Sequence, residues 1–182
     1  MAVYTVAITG ASGAIYGLTL LEQLAAADHE ISLVVSPDGA TVVREETGVD
    51  WTGASAAVQR KLDRRYAGRV RWWSHADFYA PIASGSHLTD GMIIAPCSMK
   101  TAAAVAHGLA SGLIERAADV TLKERRPLIV VPRETPFSVI HLENLLALAR
   151  AGAHVVPAMP AFYHQPKSID DLVAFVVGRI LD

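Results

Sequence analysis

The sequence predicts a three-layer α/β/α domain built on a mainly parallel sheet, and three observations carry that prediction. Short apolar runs, among them Val3–Thr9, Glu30–Val35, Met92–Ala95 and Leu128–Val131, alternate with longer stretches of helical pattern. Such alternation is the signature of βαβ units. The run Leu128–Val131 has no polar alternation, so it suits a strand covered on both faces. The first run also leads directly into the glycine-punctuated segment Gly10–Gly17, a strand, turn and helix opening.

Taken in order, the helix entered through that turn extends to about Ala27, and Glu30–Val35 completes a first βαβ unit. A helix over about Asp38–Thr47 and another over Ala54–Tyr66 follow, with Arg69–Trp73 as a third strand. Ala80–Asp90 is rich in small residues and reads as a loop. Met92–Ala95 is a strand ending on Pro96, after which Ser98 starts an Ala-rich helix toward His107. In the cationic helix behind it, Arg116, Val120 and Lys123 share one face, surrounded by Glu115, Glu124, Arg125 and Arg126. The last two arginines read as surface or interface charges. Leu128–Val131 ends on Pro132, Arg133 and Glu134, and Pro136 suits the first turn of a helix over Phe137–Ala151. His154–Val156 is a last strand, Pro157–Pro166 a proline-stiffened loop suited to a lid or wall. The closing helix Ile169–Leu181 takes Ser168 as its cap, with Asp171 at the reciprocal position. No repeat or linker interrupts residues 1–182, which read as one domain.

Hydrophobic residues make up 52% of the chain against 19% charged, with a mean hydropathy of +0.31. That excess implies apolar surface hidden between subunits, hence a homo-oligomer. A net charge of −2, with no basic tail or basic stripe interleaved with aromatics, argues against nucleic acid. No apolar run is long enough to span a bilayer and no leader pattern opens the chain, so the expected compartment is cytoplasmic. Cys97 is the only cysteine and the seven histidines lack short ligand spacings, so no metal is expected.

In a parallel sheet three strand ends converge: Thr9 to Ala14, Pro96 to Thr101, and Pro132 to Glu134. The first two place small residues and N–H groups at helix starts, where geometry and dipole favour an anion. With the Arg133 guanidinium nearby, they point to a phosphorylated cofactor. A nicotinamide enzyme fits poorly. The glycines at 10, 13 and 17 are not G-x-G-x-x-G, and Tyr16 stands where close packing wants the last glycine. Ser36, not an acid, follows the second strand, and Pro166 keeps Tyr163 and Lys167 off one helical turn.

The segments ITGASGAIYG, Ala83-Ser84-Gly85-Ser86, APCSMKT, ERAADVTLKERRPLIVVPRETPF and PAFYHQP together resemble the UbiX/Pad-type flavin prenyltransferases, over nearly the whole chain. The resemblance implies a Rossmann-like flavoprotein that joins the dimethylallyl group of dimethylallyl phosphate to N5 and C6 of reduced FMN. The product, prenylated FMN, would serve a UbiD-type decarboxylase. It implies FMN contacts from Gly10, Ala11, Ser12, Ser36, Ser98, Met99, Lys100, Thr101 and Arg133. It implies allylic phosphate contacts from Lys123, Tyr163 and Arg179, with Glu134 close by. Some of these would come across a subunit interface, in a homo-oligomer that the resemblance makes a dodecamer. Ser12, Glu46, Lys123 and Glu134 would be catalytic, Ser12 with Glu46 resembling the pair that handles the ring-closing proton.

Physical chemistry supports those roles in part. Ionising an allylic phosphate needs cations around the leaving group and exclusion of water, and Lys123, Arg133 and Arg179 are available cations. Either Glu46 or the departing phosphate could take the C6 proton. The alternatives are an FMN-dependent cysteine-type decarboxylase, for which only His29 stands early in the chain, and a non-catalytic flavin-binding accessory subunit.

Overall fold

The computed structural model describes all residues, 1–182. Strands β1 (Val3–Ile8), β2 (Glu30–Val35), β3 (Val70–Trp73), β4 (Gly91–Cys97), β5 (Leu128–Pro132) and β6 (His154–Val155) form one sheet in the order β3-β2-β1-β4-β5-β6. Every pairing is parallel. Helices α1 (Ala14–Ala26), α2 (Pro37–Thr47), α3 (Ser55–Tyr66), α4 (Met99–Ala106), α5 (Leu113–Lys123), α6 (Val139–Arg150) and α7 (Ile169–Leu181) cover it.

The strand pleat assigns the layers. Successive side chains on a strand face opposite ways. Val6 and Ile8 therefore join Leu18, Leu62 and Val177 in a core beneath α1, α3 and α7. Ala7 joins Ala102, Ala118 and Leu148 beneath α4, α5 and α6. Both faces are thus covered, which is why the strands read as predominantly apolar runs. Cys97 lies wholly buried within the second core, where burial pushes its thiol pKa up, so it packs as a small apolar group.

The chain moves outward from β1 through β2 to β3, then returns to the other side of β1 as β4. A crevice opens at such a switch point, above the carboxyl ends of β1 and β4. Gly17 lets α1 settle there: a Cβ on it would lie 2.5 Å from the Ala95 carbonyl oxygen. The close-packing glycine therefore exists, one residue beyond the Tyr16 position where the nucleotide-binding pattern seeks it.

The expected third strand is present as β3, and one helix start differs from expectation. The third strand is secured as a sheet edge by Gln59 of α3. Its amide donates to Val70 O at 2.8 Å and accepts from Trp72 N–H at 2.8 Å, satisfying groups an edge leaves open. Helix α6 begins only at Val139. Ser138 and His141 form a capping box there, each side chain accepting from the other residue's N–H at 3.2 Å. Pro136 therefore precedes the helix instead of occupying its first turn. The proline that does start a helix is Pro37, behind the Ser36 cap of α2.

Candidate functional site

Thr9 ties together the two turns of the crevice. Its buried hydroxyl donates to Pro96 O at 2.9 Å and accepts from Ser98 N–H at 2.7 Å. The turn after β4 is thereby fixed against the turn after β1. Ser98 caps α4, accepting from Thr101 N–H at 3.3 Å and donating to the Thr101 hydroxyl at 3.1 Å. The first N–H groups of α4, on Met99 and Lys100, have no partner within the helix and open on the crevice end. Ser36 caps α2 through Gly39 N–H at 3.0 Å, and Lys100 reaches Asp38 of α2 at 3.9 Å. Two helix starts, α2 and α4, therefore stand side by side. Gly10 fits between them: a Cβ there would lie 2.5 Å from the Asp38 Cβ.

The start of α1 binds an anion too, but an internal one. The Glu46 carboxylate, from the last turn of α2, accepts from Gly13 N–H at 2.9 Å and Ala14 N–H at 2.8 Å. Burial alone raises its pKa, yet hydrogen bonds from Ser12, Ala14 and Gly13 and the charge of Arg133 outweigh this and hold it below the ordinary carboxylate range. Arg133 in turn donates from Nε to Ser12 O at 3.0 Å, and its own N–H donates to Cys97 O at 3.3 Å. Ser12, Glu46 and Arg133, drawn from three distant segments, thus form one cluster over the ends of β1 and β5. Glu134 is half-buried beside it and accepts from Thr135 N–H at 2.9 Å. The α1 cradle is occupied, so the α4 start is the free one.

The remaining predicted residues lie elsewhere in the protomer. Lys123 ends α5, before β5 begins, and pairs with Glu124. Five-residue β5 separates it from Arg133, a span of about 16 Å at about 3.3 Å per residue. Arg179 lies near the end of α7 and pairs with Asp182. It lines a cleft of about 500 Å³ with Tyr4, Asp90, Gly91, Pro127 and His154, all at the amino ends of strands. Tyr163 is 81% exposed and meets Phe175 of α7 edge to face, with ring centroids 5.8 Å apart. Within one chain Lys123 and Arg179 are therefore at the opposite end of the strands from Ser98 and Arg133. Tyr163 and Lys167 sit in the segment before α7, not on a shared helical turn.

A family model described as Flavoprotein matches residues 3–181. The flavin prenyltransferase UbiX of Pseudomonas aeruginosa is 51% identical over 181 residues, covering 98% of this chain and 87% of that protein. The chain belongs to the flavin prenyltransferase family. Solved structures agree in fold. A dodecameric FMN-dependent Ubix-like decarboxylase from Escherichia coli is 46% identical with a TM-score of 0.89, covering 99% of this chain and 93% of that one. AnUbiX in complex with FMN and dimethylallyl pyrophosphate is 43% identical with a TM-score of 0.89, covering 100% and 90%.

For a flavin prenyltransferase, sequence reasoning left out two links of this crevice and one residue outside it. Thr9 carries no signal beyond its place at a strand end, because its partners are 87 and 89 residues away. The Lys100–Asp38 bridge joins residues that only the switch-point topology brings together. Arg126, read as a surface charge, is half-buried and binds two loop carbonyls. No helix is long and apolar enough to cross a membrane.

Proposed function

We propose that this flavin prenyltransferase transfers the dimethylallyl group of dimethylallyl phosphate to N5 and C6 of reduced FMN, in sites shared between subunits of a dodecamer. The observation that carries the reading is the latched crevice at the switch point, where α4 offers a free helix start beside the Ser12–Glu46–Arg133 cluster. The N–H groups of Met99 and Lys100, with the Ser98, Thr101 and Ser36 hydroxyls, suit the FMN phosphate. Gly10, Ala11 and Ser12, with Arg133, then line the ring system, and FMN supplies the nucleophilic flavin atoms.

Lys123, Tyr163 and Arg179 suit the phosphate of the donor, and in this reading they reach it from other subunits, because one chain holds Lys123 and Arg179 at the amino ends of the strands. Cations at the leaving group stabilise its developing charge. In this reading Glu134 protonates the departing phosphate. Glu46 is a weak base, since hydrogen bonds already hold its carboxylate ionised. The released inorganic phosphate is the stronger base and takes the C6 proton, while Glu46 orients Ser12. Prenylated FMN then passes to a UbiD-type decarboxylase, in the cytoplasm.

The cysteine-decarboxylase reading lacks its histidine at the crevice. His29 accepts from Ala2 N–H at 3.1 Å and faces the Tyr4 ring at 5.4 Å, near the amino ends of β1 and β2. The deciding experiment is anaerobic incubation with reduced FMN and dimethylallyl phosphate, followed by mass spectrometry of the flavin. Gain of one five-carbon unit is expected. Unmodified flavin recovered from FMN-loaded protein would refute transfer and favour an accessory, flavin-holding role.

A further inference from the structure

The loop from Ala83 to His87 is held from beneath by two arginines that have no place in the flavin crevice. Arg126, in the turn between α5 and β5, donates from Nη1 to His87 O at 2.8 Å and from Nη2 to Gly85 O at 2.8 Å. Arg116, on α5, donates from Nε to Ala83 O at 3.1 Å. The hydroxyls of Ser84 and Ser86 lie 2.8 Å apart across the loop tip. Between the loop and the helix end sits the Lys123–Glu124 ion pair. Contact is close: a Cβ on Gly85 would overlap the Glu124 carboxylate and lie 2.8 Å from Lys123 Nζ. The Gly85 backbone is in no left-handed conformation, so a side chain there would be opposed by the tips of Lys123 and Glu124 and would displace them.

A lysine ammonium is a point charge on a flexible stem, and what surrounds it decides where it points. Here the surroundings are the loop on one side and Glu124 on the other. We propose that Arg126 is a positioning residue for prenyl transfer: by clamping Gly85 and His87 it seats the loop on the Lys123–Glu124 pair and so sets where the Lys123 ammonium meets the donor phosphate. This rests on reading Lys123 as a phosphate-binding residue. The planar guanidinium is needed because its two terminal nitrogens diverge toward two carbonyls, a geometry an ammonium reproduces poorly. Misplacement of a binding group by a fraction of its contact distance is costly in such sites.

The test uses the full-length oligomer. In Arg126→Ala, amide exchange at residues 84 to 88 is expected to rise about tenfold, with β4 and β5 unchanged. The KM for dimethylallyl phosphate is expected to rise about tenfold while kcat changes less than about threefold and FMN affinity holds. Arg126→Lys should fall between, recovering one of the two hydrogen bonds. Gly85→Ala, which leaves Arg126 intact but crowds Lys123, should raise KM in the same direction, and it keeps the proposal testable if Arg126→Ala fails to fold. Unchanged KM and loop exchange in Arg126→Ala, in a wild type that prenylates flavin, would overturn the clamp alone. So would FMN affinity falling in step with kcat at unchanged KM. A folded, FMN-loaded wild type that does not prenylate flavin would instead overturn the function on which the clamp rests.

Discussion

Glu46 is where charge, backbone and flavin chemistry meet at the level of single residues. Its carboxylate caps α1 from the end of α2 and stands beside Ser12 and Arg133. Glu46→Gln is expected to lower stability at neutral pH by up to about 1 kcal/mol, the scale of a lost helix cap reduced by solvent screening at an exposed site. The sign with pH follows from the depressed pKa. The unfolded carboxylate titrates near the ordinary 4.5 and the folded one below it. The stabilisation is therefore complete above that ordinary value and is lost as pH falls through the depressed one. Urea midpoints of the two proteins should differ at pH 7 and converge in acid. At α4, Ser98→Ala should weaken FMN binding by about tenfold, the worth of one polar contact, measured by flavin fluorescence titration. Ser12 and Arg133 stand in the motifs that carry the resemblance, whereas Glu46 lies in none of them and entered only as what the resemblance implies. That Glu46 fills the α1 start was not legible, because the bond spans more than thirty residues and depends on how α2 crosses β1.

Among the elements, the packing of α1 on β4 is the contact most open to a single change. Gly17→Ala gains helix propensity of about 1 kcal/mol, but the added Cβ meets a backbone carbonyl at 2.5 Å that cannot step aside. Overpacking of this kind costs about 1–3 kcal/mol, so net destabilisation is expected, with a lower urea midpoint and weaker flavin retention. The central strands were legible because cover on both faces leaves few polar residues in them. The third strand was less so, since its support comes from the Gln59 side chain instead of its own pattern. The start of α6 was misplaced because proline favours a helix start generally, whereas the Ser138–His141 capping box decides it here.

At the scale of the whole molecule, the excess of hydropathy finds its place on the surface. Val139, Ile140, Leu142 and Leu146 of α6 are 70%, 68%, 53% and 49% exposed, an apolar stretch suited to subunit contact. Leu142→Glu is expected to shift the particle mass downward in light scattering and to abolish prenylation while the protomer stays folded. Composition points to assembly, but no pattern in the sequence reveals that Lys123 and Arg179 lie at the end of the strands opposite to Ser98 and Arg133. On the proposed reading, that separation is why one chain cannot complete the site. It is tested most directly by co-assembling two inactive variants, Lys123→Ala and Arg133→Ala, and measuring prenylated flavin by mass spectrometry. If each site draws its flavin cradle and its lysine from different subunits, random mixing should restore about a quarter of the wild-type sites. Activity no greater than that of either variant alone would contradict the shared site.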